Sequence, residues 1–293
     1  MMSAQLAAVP TPSLSYEGAG DVLSEKNFWR LSQLVYSVCG IKLTAKKKSM
    51  IDGRLRRRMR NIGILNINDY CSFLISGSAE ADVELVHFID AVTTNKTDFF
   101  REPAHFAFMQ KIVLPGWCAE GRHRAKIWSA ASSTGAEAYT IAMVMDDFYR
   151  DCGGFDYAIL GTDICTDVLA KGRLGLFPIT MLEPITEEFR RRYILVPRDP
   201  DRHEFRIAAG LRDKVSFHRL NLMDDRYAFE RDFDLIFLRN VLIYFDRPTQ
   251  EAVVGKLCEH LKPGGYLFLG HSESLVGAKF PLDMVANTIF QRR

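Results

Sequence analysis

Several short stretches hold residue types suited to ligand binding and group transfer. Small residues crowd Ser129-Ala-Ala-Ser-Ser-Thr-Gly-Ala-Glu137 directly after an apolar run, where backbone can approach a ligand closely. The spacing is not Gly-x-Gly-x-x-Gly, so a loop cradling a pyrophosphate is disfavoured. Asp163 closes a second apolar run. Nucleotide-binding sheets place an acid there against ribose hydroxyls, although a helix N-cap favours the same residue type. Arg101 can grip a carboxylate through paired N–H bonds, and Phe99, Phe100 and Tyr244 are aromatics able to wall off water. Leu261-Lys-Pro-Gly-Gly-Tyr266 is good turn chemistry. The seven histidines contain no His-Glu-x-x-His arrangement and none pairs with a cysteine motif, so no metal is expected. His271 reads as structural.

Positioning these residues requires an alternation of strands and helices. Apolar runs predict strands at Lys126–Ala131, Tyr157–Asp163, Val215–Leu220, Phe233–Leu238 and Tyr266–Gly270. Helices fit between them at Ala136–Tyr149, Thr166–Lys171 and Pro248–Leu261, and Phe280–Gln291 suits an antiparallel edge hairpin. The fold class is therefore α/β, a doubly wound, mostly parallel Rossmann-like sheet covered on both faces. The connection from Asp163 to Val215 is too long for one crossover. Tyr193–Val196 and Glu204–Ile207 flank a Pro-Arg-Asp-Pro-Asp turn within it, which predicts a small inserted antiparallel β-subdomain at about 176–213. That insertion is either a partner-binding element or a surface elaboration.

Upstream, residues 1–22 read as a mobile tail and 23–92 as a small helical domain. Phe28, Leu31, Leu34 and Val35 share one helical face that Gly40 terminates. Ile51, Leu55, Met59 and Ile62 form a second apolar stripe, and Asn68 and Ser78 are candidate caps. Residues 93–100 form a linker contributing to the ligand site, and 101–293 form the sheet domain.

Composition bounds the rest. The 293 residues are 47% hydrophobic and 25% charged, which excludes a disordered chain or a disulfide miniprotein. No apolar stretch is long enough to span a membrane, Met1–Gly20 lacks the pattern of a signal peptide, and six scattered cysteines suit a reducing cytoplasm. The net charge of +2 conceals an asymmetry. Lys42–Arg60 holds nine basic residues and one acid, Asp52, leaving 29 basic against 35 acidic residues elsewhere. One surface thus expects an acidic partner.

Together these features resemble the class I S-adenosylmethionine-dependent methyltransferase fold. More specifically, the chain is similar to CheR-type chemotaxis receptor glutamate O-methyltransferases. The resemblance runs from about Phe28 to the C-terminus. It rests on Thr93-Thr-Asn-Lys-Thr-Asp-Phe-Phe-Arg-Glu102, Trp128-Ser-Ala-Ala-Ser-Ser-Thr-Gly-Ala-Glu-Ala-Tyr139, Thr162-Asp-Ile164, Asn221-Leu222, Arg239-Asn-Val-Leu-Ile-Tyr-Phe-Asp246 and Gly270-His-Ser-Glu273. It implies that Asn95, Thr97 and Arg101 reach S-adenosylmethionine from the linker. Glu137 would hold the methionine amine, Asp163 the ribose, and Asn221 and Leu222 the adenine, with Arg239 and Asn240 completing the pocket. Arg101 and Tyr244 would flank the transferred methyl. The family pattern carries Glu-Glu-Pro-Tyr where this chain has Ala136-Glu137-Ala138-Tyr139, which retains the amine-binding carboxylate.

The implied partner is the set of cytoplasmic methylation helices of chemoreceptors. Arg54, Arg56, Arg57 and Arg60 are expected to dock them, the enzyme being a cytoplasmic monomer without membrane insertion. Nucleic acid is disfavoured as a partner, since the basic run lacks interleaved aromatics and the Asn/Asp-Pro-Pro-aromatic motif of amino-methylating enzymes is missing. A non-catalytic sensing module is disfavoured by the intact Arg101, Glu137, Asp163 and Tyr244. A glutamate is already ionised near neutral pH, so its methylation needs no general base.

Overall fold

A computed structural model describes residues 22–150, 155–199, 201–229, 231–275 and 279–293. The tail expected at 1–22 lies, apart from Val22, outside the described residues.

Four helices form the N-terminal unit: α1 (Glu25–Cys39), α2 (Lys48–Ile62), α3 (Ile67–Leu74) and α4 (Ala79–Val92). Local chemistry sets their limits. Ser24 and Ser78 cap α1 and α4 through their hydroxyls, and Gly40 and Gly63 end α1 and α2 in the left-handed conformation. The cap of α3 is Asn66, which accepts from the N–H groups of Asn68 and Asp69. Asn68, expected in that role, lies inside the helix and accepts from the Asn27 side chain. The α2 stripe of Ile51, Leu55 and Met59 is buried against Phe28, Leu31, Tyr70 and Phe88, with Ile62 half-buried at its end.

Residues 103–119 are helical as well, which the strand-helix reading does not foresee. Pro103 opens α5 (Pro103–Phe108), a π-helical turn follows, and α6 (Leu114–Ala119) completes the segment. Phe106, Met109, Val113, Leu114 and Trp117 are its buried face. Their three- and four-residue spacing was the available signal.

The sheet domain then builds β1 (Arg124–Ala130), α7 (Ala136–Tyr149), β2 (Asp156–Asp163) and α8 (Thr166–Leu174). The insertion comprises β3 (Leu176–Pro178), α9 (Glu187–Tyr193), β4 (Ile194–Leu195), β5 (Glu204–Ile207) and α10 (Ala209–Arg212). It forms a separate antiparallel sheet in the order β3-β5-β4. The main sheet resumes with β6 (Val215–Arg219), β7 (Phe233–Leu238), α11 (Arg247–His260), β8 (Leu261–Leu269), β9 (Leu282–Ala286) and β10 (Ile289–Arg292). Its order is β6-β2-β1-β7-β8-β10-β9, parallel except where β10 runs antiparallel to β8 and β9.

Every residue of β7 is buried, as a strand covered on both faces requires. Leu235 and Phe237 face one core and Ile236 and Leu238 the other. After β1 the chain adds β2 and β6 on one side, then crosses back to place β7 on the other. The carboxyl ends of β1 and β7 thus diverge at a topological switch point, where such sheets bind ligands.

Candidate functional site

The switch point opens into a cavity. Its wall includes Asn95, Thr97, Arg101, Ser133, Glu137, Asp163, Asn221, Leu222, Arg239, Asn240 and Tyr244. Every residue expected to bind the cofactor or flank the methyl therefore faces one space. The helical domain supplies part of the wall through Ile41, Leu43, Lys47 and Met50.

The turn after β1 is bent sharply. Ala131 and Ser133 adopt positive φ (57° and 51°), a conformation that costs about 1 kcal/mol or more for residues with a Cβ. The reward is geometric: the Ser133 N–H donates to Asp163 Oδ2 at 2.9 Å, and the Cys165 N–H donates to Oδ1 at 2.9 Å. Each oxygen keeps acceptor capacity, which suits the two hydroxyls of a ribose. Burial pushes the Asp163 carboxyl above the usual carboxylate range, the backbone donors only partly offsetting it. Gly135 precedes α7 at φ 88°, and a Cβ there would meet the Phe217 ring. With Ala136 and Ala138 both buried, α7 still starts directly after that glycine.

At the opposite side stands an ion cluster. Arg239 Nη1 donates to Glu137 Oε2 at 2.9 Å, and its Nη2 donates to Glu102 Oε2 at 3.1 Å and to the Arg101 carbonyl. Two carboxylates around one guanidinium leave a net negative site, which fits an incoming ammonium group. Burial raises the Glu102 carboxyl, but Asn240 and Arg239 outweigh it and hold the group below its ordinary value.

Glu273 fixes the loop after β7. Its carboxylate is buried and accepts the N–H groups of Gly270, Asn240, Val241 and Leu242 at 2.6–2.9 Å. Asn240 is thereby held at φ 58°, its side chain donating to Glu102. Neither Glu102 nor Glu273 was among the expected site residues, although both stand in the sequence motifs that point to the site.

Other expectations need correction. Phe99 and Phe100 do not wall the cavity. Phe99 packs edge-on against Phe177 and close to Phe205, and Phe100 stacks on Phe189, so the pair anchors the linker to the insertion. Asn221 lines the cavity, yet its amide donates to the Val38 carbonyl at 2.6 Å and ties the sheet domain to α1. The Asn95 side-chain amide likewise donates to Thr93 and Cys165, and the main-chain carbonyl of Asn95 accepts from the Ser133 hydroxyl. Arg101 donates to the Lys96 carbonyl and makes no ion pair among the described residues.

Much of the basic run is internally engaged. Arg54 donates through Nη1 to the carbonyls of Ala91, Val92 and Thr93, closing the C-terminal end of α4. Arg56 pairs with Asp52 in a two-pronged contact, and Arg58 pairs with buried Glu84. Only Arg57 and Arg60 of the four proposed docking arginines are exposed without a carboxylate among the described residues.

Glu102, His105 and His271 bring three potential metal-ligand atoms within 4.8 Å of one another. The sequence shows no such spacing because His105 and His271 lie far apart along it. His105 is buried and pushed down to about 4 by burial, then by Arg239, so it stays neutral. Glu102 is already satisfied by Arg239, Asn240 and the His271 N–H.

A doubly wound sheet with this cavity at its switch point, and an acid closing its second strand, is the architecture that holds a nucleoside-bearing ligand, and the family match makes the chain an S-adenosylmethionine-dependent methyltransferase. The chain belongs to the CheR methyltransferase family: residues 26–93 match its all-alpha domain and residues 95–290 its SAM-binding domain. It is 39% identical over 254 residues to a chemotaxis protein methyltransferase of Klebsiella aerogenes, covering 86% of this chain and 84% of the relative. A Borreliella burgdorferi protein of the same name is 36% identical (85% and 88% covered), and an Escherichia coli one 37% identical (92% and 91% covered). The cofactor is S-adenosylmethionine. No helix among the described residues is long and apolar enough to cross a membrane.

Proposed function

We propose that this chain methylates glutamate side chains on the cytoplasmic helices of chemotaxis receptors, giving glutamate methyl esters and S-adenosylhomocysteine. The observation carrying this reading is the cavity's chemistry. Arg101 and Tyr244 line it, and among the described residues Arg101 has no carboxylate of its own and no histidine joins the lining. Such a site suits a nucleophile that arrives already ionised.

When bound, S-adenosylmethionine supplies a sulfonium methyl group. Asp163 would accept hydrogen bonds from its ribose hydroxyls, and Glu137, backed by Arg239, would accept from its amine. Arg101 orients the incoming carboxylate by charge-assisted N–H bonds. Tyr244 narrows the approach and excludes water, which solvates separated charges better than the charge-dispersed transition state. The carboxylate oxygen would form the new bond to the methyl carbon, the carbon–sulfur pair staying with sulfur. No proton moves. The exposed pair Arg57 and Arg60 gives an acidic receptor helix a complementary face on α2.

The test offers methyl-labelled cofactor with a receptor cytoplasmic fragment or with RNA. Label on the receptor that alkali releases as methanol supports the ester. Alkali-stable label, or label on RNA alone, refutes it.

A further inference from the structure

The nine basic residues of Lys42–Arg60 divide sharply by environment. Lys42 pairs with Asp246, Lys48 with Glu25, Arg56 with Asp52 and Arg58 with Glu84, while Arg54 closes α4. Lys46, Arg57 and Arg60 are exposed. Lys47 fits neither group. It is half-buried, lines the cofactor cavity, and has no carboxylate within ion-pair distance among the described residues. Its ammonium stands 5.3 Å from the centre of the Tyr244 ring.

A lysine whose stem packs into a cavity wall leaves its ammonium free to meet whatever enters. Among the described residues it meets the Tyr244 ring and no acid, although Lys42 and Lys48 of the same run find acids. The cavity lining holds a second cation without an acid among the described residues, Arg101, which donates to the Lys96 carbonyl. A carboxylate has lone pairs enough to accept from both at once.

We propose that Lys47 is a substrate-binding residue that, with Arg101, receives the side-chain carboxylate to be methylated. The assignment rests on the carboxylate methylation proposed above. It also gives the helical domain a direct part in the reaction, since Lys47 is the last residue before α2. The chemistry fixes which kinetic constant it governs. The carboxylate oxygen bonds to the methyl carbon, the carbon–sulfur pair goes to sulfur, and both reacting charges vanish without a proton or co-reactant. A cation that grips the carboxylate therefore holds the ground state at least as well as the transition state. Its contribution falls on binding of substrate more than on the maximal rate.

The experiment compares Lys47→Met, which keeps the apolar stem, with Lys47→Arg. For Lys47→Met the receptor KM should rise roughly tenfold, the loss of one charge-assisted contact. S-adenosylhomocysteine affinity, measured calorimetrically, should stay within about twofold of wild type, since no cofactor contact is removed. Lys47→Arg should restore most of the KM. An unchanged KM in Lys47→Met overturns the assignment. Weakened S-adenosylhomocysteine binding overturns it too, because Lys47 would then be holding the cofactor's own carboxylate. If wild-type enzyme forms no alkali-labile ester, the methylation reading itself fails and Lys47 falls with it. Ester formation with an unaltered mutant KM sinks the Lys47 assignment alone.

Discussion

The Asn240 N–H donates to Glu273 Oε2 at 2.9 Å, and this bond holds a non-glycine residue at φ 58° at the edge of the cofactor cavity. Gly270 is the companion requirement, since a Cβ there would lie 2.6 Å from the Asn240 amide. Glu273→Ala would remove the acceptor of four N–H groups, those of Leu242 and Gly270 in buried bonds and those of Asn240 and Val241 in part-buried ones. Urea unfolding should show a loss of at least about 3 kcal/mol, with weaker S-adenosylhomocysteine binding. A loss below about 1 kcal/mol would mean the loop is held by something else.

Asp163→Ala should weaken S-adenosylhomocysteine at least tenfold, roughly what one charged hydrogen bond contributes. The ionised carboxylate is the form that accepts both hydroxyls, and burial raises its pKa in the free protein. Wild-type affinity should therefore fall on acidification, beginning at a higher pH than an ordinary carboxylate would impose. That step should be absent from the variant. Calorimetry across about pH 5–8, where folded proteins are generally most stable, checks both, and unchanged affinity would remove Asp163 from the site.

Arg101 is held by a single bond to a carbonyl, so its contribution to stability is small. Arg101→Lys cannot reproduce a two-pronged carboxylate contact. The specificity constant kcat/KM for receptor should drop about tenfold or more, whereas stability should change by less than about 0.5 kcal/mol. Equal activity in the two proteins would assign Arg101 a surface role.

On α2 the arginines should separate by environment. Reversing Arg57 and Arg60 to Glu should raise receptor KM strongly and leave S-adenosylhomocysteine affinity alone. Wild-type KM should climb with salt, since exposed charges are screened over about 8 Å near physiological ionic strength. Arg54→Ala should instead destabilise the fold by about 1 kcal/mol, because it uncaps α4. A double reversal without effect on receptor KM would leave the basic run a solvated face.

Sequence alone determined the elements whose signals are local. The limits of α7 and β7 follow from periodicity and bounding residues, and the small-residue turn, Asp163 and the motif from Arg239 to Asp246 point to the cofactor cavity without any contact being known. What it could not determine was which side chain meets which across long separations. Arg58 finds Glu84 26 positions away, Arg54 reaches carbonyls 37–39 positions on, and Phe99 leaves the cavity for Phe177 and Phe205. A charge run looks uniform in one dimension because each residue carries the same formal charge. Only packing decides which of those charges are matched by buried acids or helix ends, and so which remain for a substrate. Lys47, turned into the cavity beside Tyr244, owes its position to the docking of two domains and to no feature of its own neighbourhood in the chain.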